Sequence, residues 1–435
     1  MLIIANTFAF NGGTTFLTRF TKEYLKQTDS KVNILLLTNN IVKELEETIS
    51  LYANIYYIKD FIVDQFKWMG KTQLSIYAPY KAAFYNFIKQ HKNHIHVMGV
   101  FGLLLIHRLN KNNDIKYTIG AYHQNEYMYI CNNAKYFQQI LRTTFKNISA
   151  NNLIFLNETR MLNYSIFFDS HINNGNIVPV GITKKESLVN LSNFDTKRIV
   201  SIGNLTKFKT YNKHIIELIP SLKEEYPNII YDIYGDGDER INLENLVKQL
   251  NIESYVNFYG RIKYEDMENI LKDTCLFVGN GTSIVEASSY SIPSIIGIES
   301  IEIPKTYGFL SDIQGLSYNE FDSTKELFDI GFLVKKLFND KEYYYRKSNE
   351  CYLKSNEYTI NTTVSKFINI EKNIKLCKIK YSNVLSLFNF LYIGLLDKFN
   401  FDKCFKNRKI QSTKPIDILI NKKGKQINET TTTRP

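Results

Sequence analysis

Cysteine is scarce in this chain and tryptophan scarcer, with five cysteines and a single tryptophan in 435 residues. The cysteines, Cys131, Cys275, Cys351, Cys377 and Cys404, are odd in number, widely spread and never in a Cys-x-x-Cys spacing. That pattern argues against both a disulfide framework and a zinc site, and it fits a reducing cytoplasm. Long apolar runs are also missing. The longest late stretch, Val384 to Leu396, is interrupted by Ser386 and Asn389 and is shorter than the ~20 residues a spanning helix needs. The opening MLIIANTFAF lacks the basic region of an export signal and reads as a first core strand. No helix-turn-helix, RRM or zinc-finger pattern accompanies the formal net charge of +11, so nucleic acid is not the expected partner.

What is present is a globular composition, 44% hydrophobic and 22% charged, in a chain too long for one ordinary core. Two domains are expected. The basic surplus attracts anions, whether a diphosphate ligand or an anionic lipid surface.

Short β-rich runs alternate with helix-length amphipathic segments, the pattern of parallel sheets built from βαβ units. The runs Leu2 to Asn6, Val32 to Thr38, Ile55 to Ile58, Ile95 to Gly99, Tyr117 to Tyr122, Leu153 to Leu156 and Ile177 to Val180 form one series. A second comprises Arg198 to Gly203, Ile229 to Gly235, Val256 to Gly260, Cys275 to Val278 and Ser294 to Ile298. The expected fold class is α/β, with two doubly wound, Rossmann-like domains over residues 1–185 and 196–345 facing a cleft. The polar segment Gly181 to Asp195 reads as their linker, and residues 346–435 as a helical, basic extension with a frayed Thr-rich end.

The clearest chemical signal is CLFVGNGTSIVEASSYSIPSII, a strand, a glycine turn and a helix whose first turn holds Gly281, Thr282 and Ser283. Such a helix start offers N–H groups and a positive dipole end to a phosphate. Glu286, about one turn further on, is placed to accept hydrogen bonds from vicinal hydroxyls such as those of a ribose; a solvated glutamate after an ordinary turn fits the spacing as well. In VSIGNLTKFKTYN, Lys207 and Lys209 follow a strand, in a loop at the edge where open α/β sheets bind ligands. A lysine there neutralises a diphosphate, although two solvated loop lysines would look the same. In IYDIYGDGDER the glycines read as a tight turn, and no other acidic cluster accompanies Asp236 and Asp238 to make them a metal site. In ANTFAFNGGTTFLTRF, Gly12 and Gly13 open a helix with Thr14 as a cap candidate, and His123 stands just past a strand end.

Taken in order, SIGNLTKFKTYN, IYGDG, VNFYGRI, GNGTSIVEAS and IPSI resemble the retaining GT-B glycosyltransferases of family 4 (glycosyl transferases group 1), in particular the branch that builds bacterial capsule, O-antigen and lipopolysaccharide. The resemblance implies a metal-independent glycosyltransferase with no cofactor, whose donor is a nucleotide-diphosphate sugar of UDP or GDP type and whose acceptor is a glycan or lipid-linked glycan. It implies that Lys209 binds the donor diphosphate, that Glu286 binds the ribose, and that Asn280, Gly281, Thr282 and Ser283 contact sugar and phosphate. Gly12 and Gly13 would lie near the phosphates, Gly235, Arg261 and Ile262 would line the donor side, and His123 would touch the transferred sugar. Two positions depart from the family pattern: Asn204 stands where an arginine is usual, a gap that Lys207 is placed to fill, and Val278 replaces the first carboxylate of an E-x7-E pair. These departures keep open a second reading, a catalytically inactive partner subunit of a polysaccharide assembly complex.

Residues Ile374 to Lys414 combine lysines with the apolar stretch VLSLFNFLYIGLL. Such a segment either packs on the N-terminal domain or lies on an anionic membrane at the inner face of the cytoplasmic membrane.

Overall fold

The computed structural model describes residues 1–399 apart from 10, 11, 40, 123–125, 129–134, 171, 173, 184–189 and 323. Two compact units emerge. The first comprises Met1–Gly181 together with the returning chain from Ile360, and the second comprises Ile182–Thr359.

In the first unit seven strands are β1 (Leu2–Ala5), β2 (Val32–Leu36), β3 (Ala53–Tyr57), β4 (Ile95–Met98), β5 (Tyr117–Ala121), β6 (Leu153–Phe155) and β7 (Asn176–Ile177). All pair in parallel, in the order β3-β2-β1-β4-β5-β6-β7. The second unit holds β8 (Arg198–Ile202), β9 (Ile230–Tyr234), β10 (Val256–Gly260), β11 (Leu276–Gly279) and β12 (Ser294–Ile296), also parallel, in the order β10-β9-β8-β11-β12. These are the twelve runs expected from sequence, with ends that differ by at most three residues. Near-continuous apolar runs such as LIIA and LFVG are buried throughout, as parallel strands covered on both faces require.

The second unit extends beyond the expected boundary at residue 345. Helix Lys341–Ser355 buries Tyr344 and Cys351 and packs on the helix Gly281–Ser289, so the unit ends only at Thr359. The expected linker is likewise partly structural, since the Leu191 and Asn193 amides donate to the Tyr290 and Thr274 carbonyls. From Ile360 the chain rejoins the first unit. Ile360, Val364, Phe367 and Ile370 form one apolar face of helix Ile360–Glu371, which packs on helix Gly12–Thr28 with the Phe20 and Phe367 rings 4.8 Å apart. Helix Asn383–Lys398 then lies against helix Lys135–Asn147. Among the described residues no helix is long and apolar enough to cross a membrane. Cys275, Cys351 and Cys377 are buried free thiols, and Cys131 and Cys404 lie outside the described residues.

Candidate functional site

In the second unit β8 and β11 are neighbours, but their following strands lie on opposite sides, β9 beyond β8 and β12 beyond β11. That reversal opens a crevice at the carboxyl ends of the two central strands, where α/β sheets take their ligands. The two loops singled out from sequence, after β8 and after β11, are the ones that flank it.

After β8 the chain turns at Gly203, whose φ of +155° suits glycine. Lys209 folds back over this glycine so closely that a Cβ there would meet Nζ at 2.5 Å. The Lys209 amide donates to the Thr206 carbonyl at 2.9 Å, closing the loop before helix Tyr211–Glu225. The residue as a whole is half-buried, yet burial of its ammonium pulls the pKa down to about 8, against the opposing pull of Glu299. Lys207 and Asn204, in contrast, are exposed.

The loop is braced by its neighbour. Gly235 has φ +143°, donates to the Gly260 carbonyl at 2.7 Å and lies so near Gly203 that a Cβ would come within 1.9 Å of the Gly203 carbonyl oxygen. A Cβ on Gly237 would meet the Leu205 oxygen at 2.1 Å. The Asp236 carboxylate accepts from the Gly237 amide within this turn. The glycines of IYGDG therefore exist for backbone-on-backbone packing of two strand-end loops, which their reading as a tight turn captured only in part.

After β11, Asn280 is buried and Gly281 begins helix Gly281–Ser289 at φ +64°, with open space where a Cβ would stand. Gly281 donates to Asn319 Oδ1 at 2.8 Å, and its carbonyl accepts from the Tyr318 hydroxyl. Thr282 is half-buried in the same first turn. The Ser283 hydroxyl bonds the Ile202 and Asn280 carbonyls, tying the helix start to the end of β8. Glu286 is 1% exposed and accepts from the Tyr264 hydroxyl at 2.8 Å. It is thus no solvated surface glutamate. Val278 is fully buried in β11, so no donor contact comes from that position. Arg261 is exposed and Ile262 half-buried against the core, both just beyond β10.

Four shielded polar atoms in these loops make no hydrogen bond among the described residues: Asn280 Nδ2, Ser300 Oγ, Thr206 Oγ1 and Thr210 Oγ1. Ser300 belongs to the same region, its amide donating to the Phe208 carbonyl at 2.7 Å. Since buried polar groups are almost always paired, several orphans at one sheet edge mark a place that awaits polar partners. Sequence reading missed Asn319, Tyr264, Tyr318, Glu299 and Ser300. None carries a local motif, and each reaches the site across a distance in sequence.

In the first unit, helix Gly12–Thr28 starts at Gly12, Gly13 is exposed, and the Thr14 hydroxyl accepts from the Ala9 amide at 3.1 Å, closing the helix entry. His123 lies outside the described residues. Next to it in sequence, the Tyr122 hydroxyl bonds His96 Nε2 at 2.8 Å, and burial drives the His96 pKa down to about 3. His96 is a neutral core histidine.

The fold so described is GT-B, an α/β architecture of two Rossmann-like domains. It is shared, at 11% identity and a TM-score of 0.59, with Anabaena HepE crystallised with UDP and glucose, over 86% of this chain and 99% of that one. Sucrose-phosphate synthase from Thermosynechococcus elongatus matches at 12% identity and a TM-score of 0.61, over 86% and 98%. Residues 183–300, which hold all of the crevice motifs, match the family described as glycosyl transferases group 1, so the second unit carries a domain of that type. An uncharacterised glycosyltransferase of Haemophilus influenzae is 26% identical over 186 residues, 41% of this chain and 49% of that protein. The chain thus spans about half the length of that relative.

Proposed function

We propose that the chain transfers a sugar from a nucleotide-diphosphate donor, of UDP or GDP type, to a glycan or lipid-linked glycan acceptor in bacterial surface polysaccharide synthesis, with retention and without a metal. One observation carries the reading: a desolvated ammonium, a helix start and a buried carboxylate occupy the two loops that flank one crevice, together with the four unpartnered polar atoms. Lys209 is suited to neutralise the leaving diphosphate, the amino end of helix Gly281–Ser289 to accept its oxygens, and Glu286 to take the ribose hydroxyls. The bond from anomeric carbon to diphosphate breaks as the acceptor oxygen bonds that carbon from the same face, and the acceptor proton leaves with the departing phosphate. Preorganised contacts of this kind are each worth about 10² to 10³ in rate. The UDP and glucose bound to HepE support a donor of this class.

The exposed Asn204 and the buried Val278 favour a second reading, a partner subunit without turnover. A thermal-shift screen with UDP, GDP and their sugar conjugates, followed by donor turnover, separates the two. Stabilisation by one diphosphate together with turnover of its conjugate supports the transferase; stabilisation without turnover of any conjugate selects the subunit. No stabilisation by any of them defeats the transferase, and a partner protein pulled down in its place selects the subunit.

A further inference from the structure

We propose that helix Asn383–Lys398 is a docking face of the first unit for an anionic bilayer surface, an assignment independent of the donor chemistry. The helix has two unlike sides. On one, Ser386 and Ile393 are fully buried, the Ser386 hydroxyl meets the Tyr77 hydroxyl at 2.7 Å, Asn389 Oδ1 accepts from the Phe137 amide, and the Phe390 ring packs 5.6 Å from that of Tyr77. These contacts fix the rotation of the helix. They also explain why the apolar stretch is broken by Ser386 and Asn389: its polar residues face the protein.

The other side is apolar and open. Val384, Leu385, Phe388, Leu391, Tyr392 and Leu395 are each 47–66% exposed. At 100° per residue they fill an arc of about 120°, one continuous stripe along the helix. An arrangement with polar residues toward the protein and large apolar ones toward solvent inverts the usual surface helix and marks a binding face.

Charge decides what that face takes. Lys372, Lys375, Lys378 and Lys380, all exposed, lead into the helix, and Lys398 is exposed at its end. The sequence then continues through Lys403, Lys406, Arg408 and Lys409. Lysine is depleted from the cores of protein interfaces, and a second copy on this face would bring like charges together. Anionic headgroups satisfy the lysines while the acyl boundary receives the stripe, with Tyr392 at the polar level. At sixteen residues the helix is about 24 Å long and lies in the interface plane rather than crossing it.

The test uses the full chain and vesicles of phosphatidylcholine, alone or with about a third phosphatidylglycerol. Cosedimentation with the anionic vesicles only, weakened by added salt, is the expected result. Phe388→Glu with Leu395→Glu should cut partitioning about tenfold or more, and Lys378→Gln with Lys380→Gln about fivefold per lysine. Helicity by circular dichroism and stabilisation by nucleoside diphosphate should stay unchanged in both variants. The proposal is overturned if the wild-type chain stays in the supernatant with either vesicle. It is overturned equally if the wild type dimerises in sedimentation velocity, the glutamate pair makes it monomeric, and vesicle binding is the same for both.

Discussion

The two units place their strands in the same order around β1 and β4 and around β8 and β11, yet the ends of those strands have opposite character. In the second unit the loops after the central pair carry a lysine whose pKa desolvation lowers to about 8 and lead to a buried glutamate, with unpartnered polar atoms in the same loops. At the corresponding edge of the first unit most of the described groups pair with one another, the Thr14 hydroxyl with the Ala9 amide, the Gly99 amide with the Tyr127 hydroxyl, and Tyr122 with a His96 that burial keeps uncharged, and the side-chain oxygen of Asn6, just after β1, is the shielded atom left without a hydrogen bond there among the described residues. Topology makes a crevice in each sheet, but it does not decide its chemistry. Burying a charge or leaving a polar atom unpaired costs stability, and the second unit bears that cost at the edge where a ligand can repay it.

The comparison breaks most directly at Lys209. Lys209→Ala is expected to lower turnover of the cognate sugar nucleotide by about 10² to 10³ and to remove the thermal shift given by its diphosphate, with circular dichroism unchanged. Lys209→Met should raise the melting temperature of the ligand-free protein by roughly 2 °C, because a desolvated ammonium is replaced by an apolar chain of similar length. An equal loss of stability and of binding would instead make the lysine a structural residue. Next in size, Gly235→Ala should destabilise by about 3 kcal/mol or more, read by chemical denaturation, since its Cβ would stand 1.9 Å from the Gly203 oxygen. Substitution at this brace would disable the site through the fold rather than through lost contact.

The pH dependence sharpens the contrast further. With its pKa lowered to about 8, Lys209 is charged at pH 7 and loses its proton on going to pH 9. If the ammonium holds the diphosphate, affinity should fall about fivefold between pH 8 and pH 9, measured by titration calorimetry; Lys209→Ala should flatten that dependence. The sign for stability is the reverse. Between pH 8 and the unfolded pKa of 10.5 the unfolded chain binds the extra proton, so this residue's contribution to stability rises with pH. Smallest of all, Thr14→Ala in the first unit should cost about 1 kcal/mol and leave the diphosphate shift untouched. A lost shift there would mean that the first unit's glycine loop reaches the phosphates.

Much of this was legible in the sequence because it is local. Parallel strands announce themselves as unbroken apolar runs, and the placing of Glu286 one turn after Thr282 follows from helical periodicity. The reasons for some residues were not. Gly235 reads as a turn glycine, and only the packed structure shows it admitting the Gly203 carbonyl. Ser283 reads as a ligand contact, yet its hydroxyl is engaged with the Ile202 and Asn280 carbonyls. The boundary at residue 345 failed because helix Lys341–Ser355 has weak amphipathic patterning, its buried face holding Ser348, Lys354 and Ser355 beside Tyr344 and Cys351, and nothing in its pattern says which unit it serves.

By itself the sequence determined the α/β class, the twelve strands of the two parallel sheets and the two loops that carry charge, since each depends on neighbours a few residues apart. Only the tertiary structure decided that Tyr264 reaches Glu286, that Asn319 meets the start of helix Gly281–Ser289, and which side of helix Asn383–Lys398 faces outward. Those outcomes depend on partners far away in the chain, and side-chain contact is set by how the backbone elements pack rather than by their order.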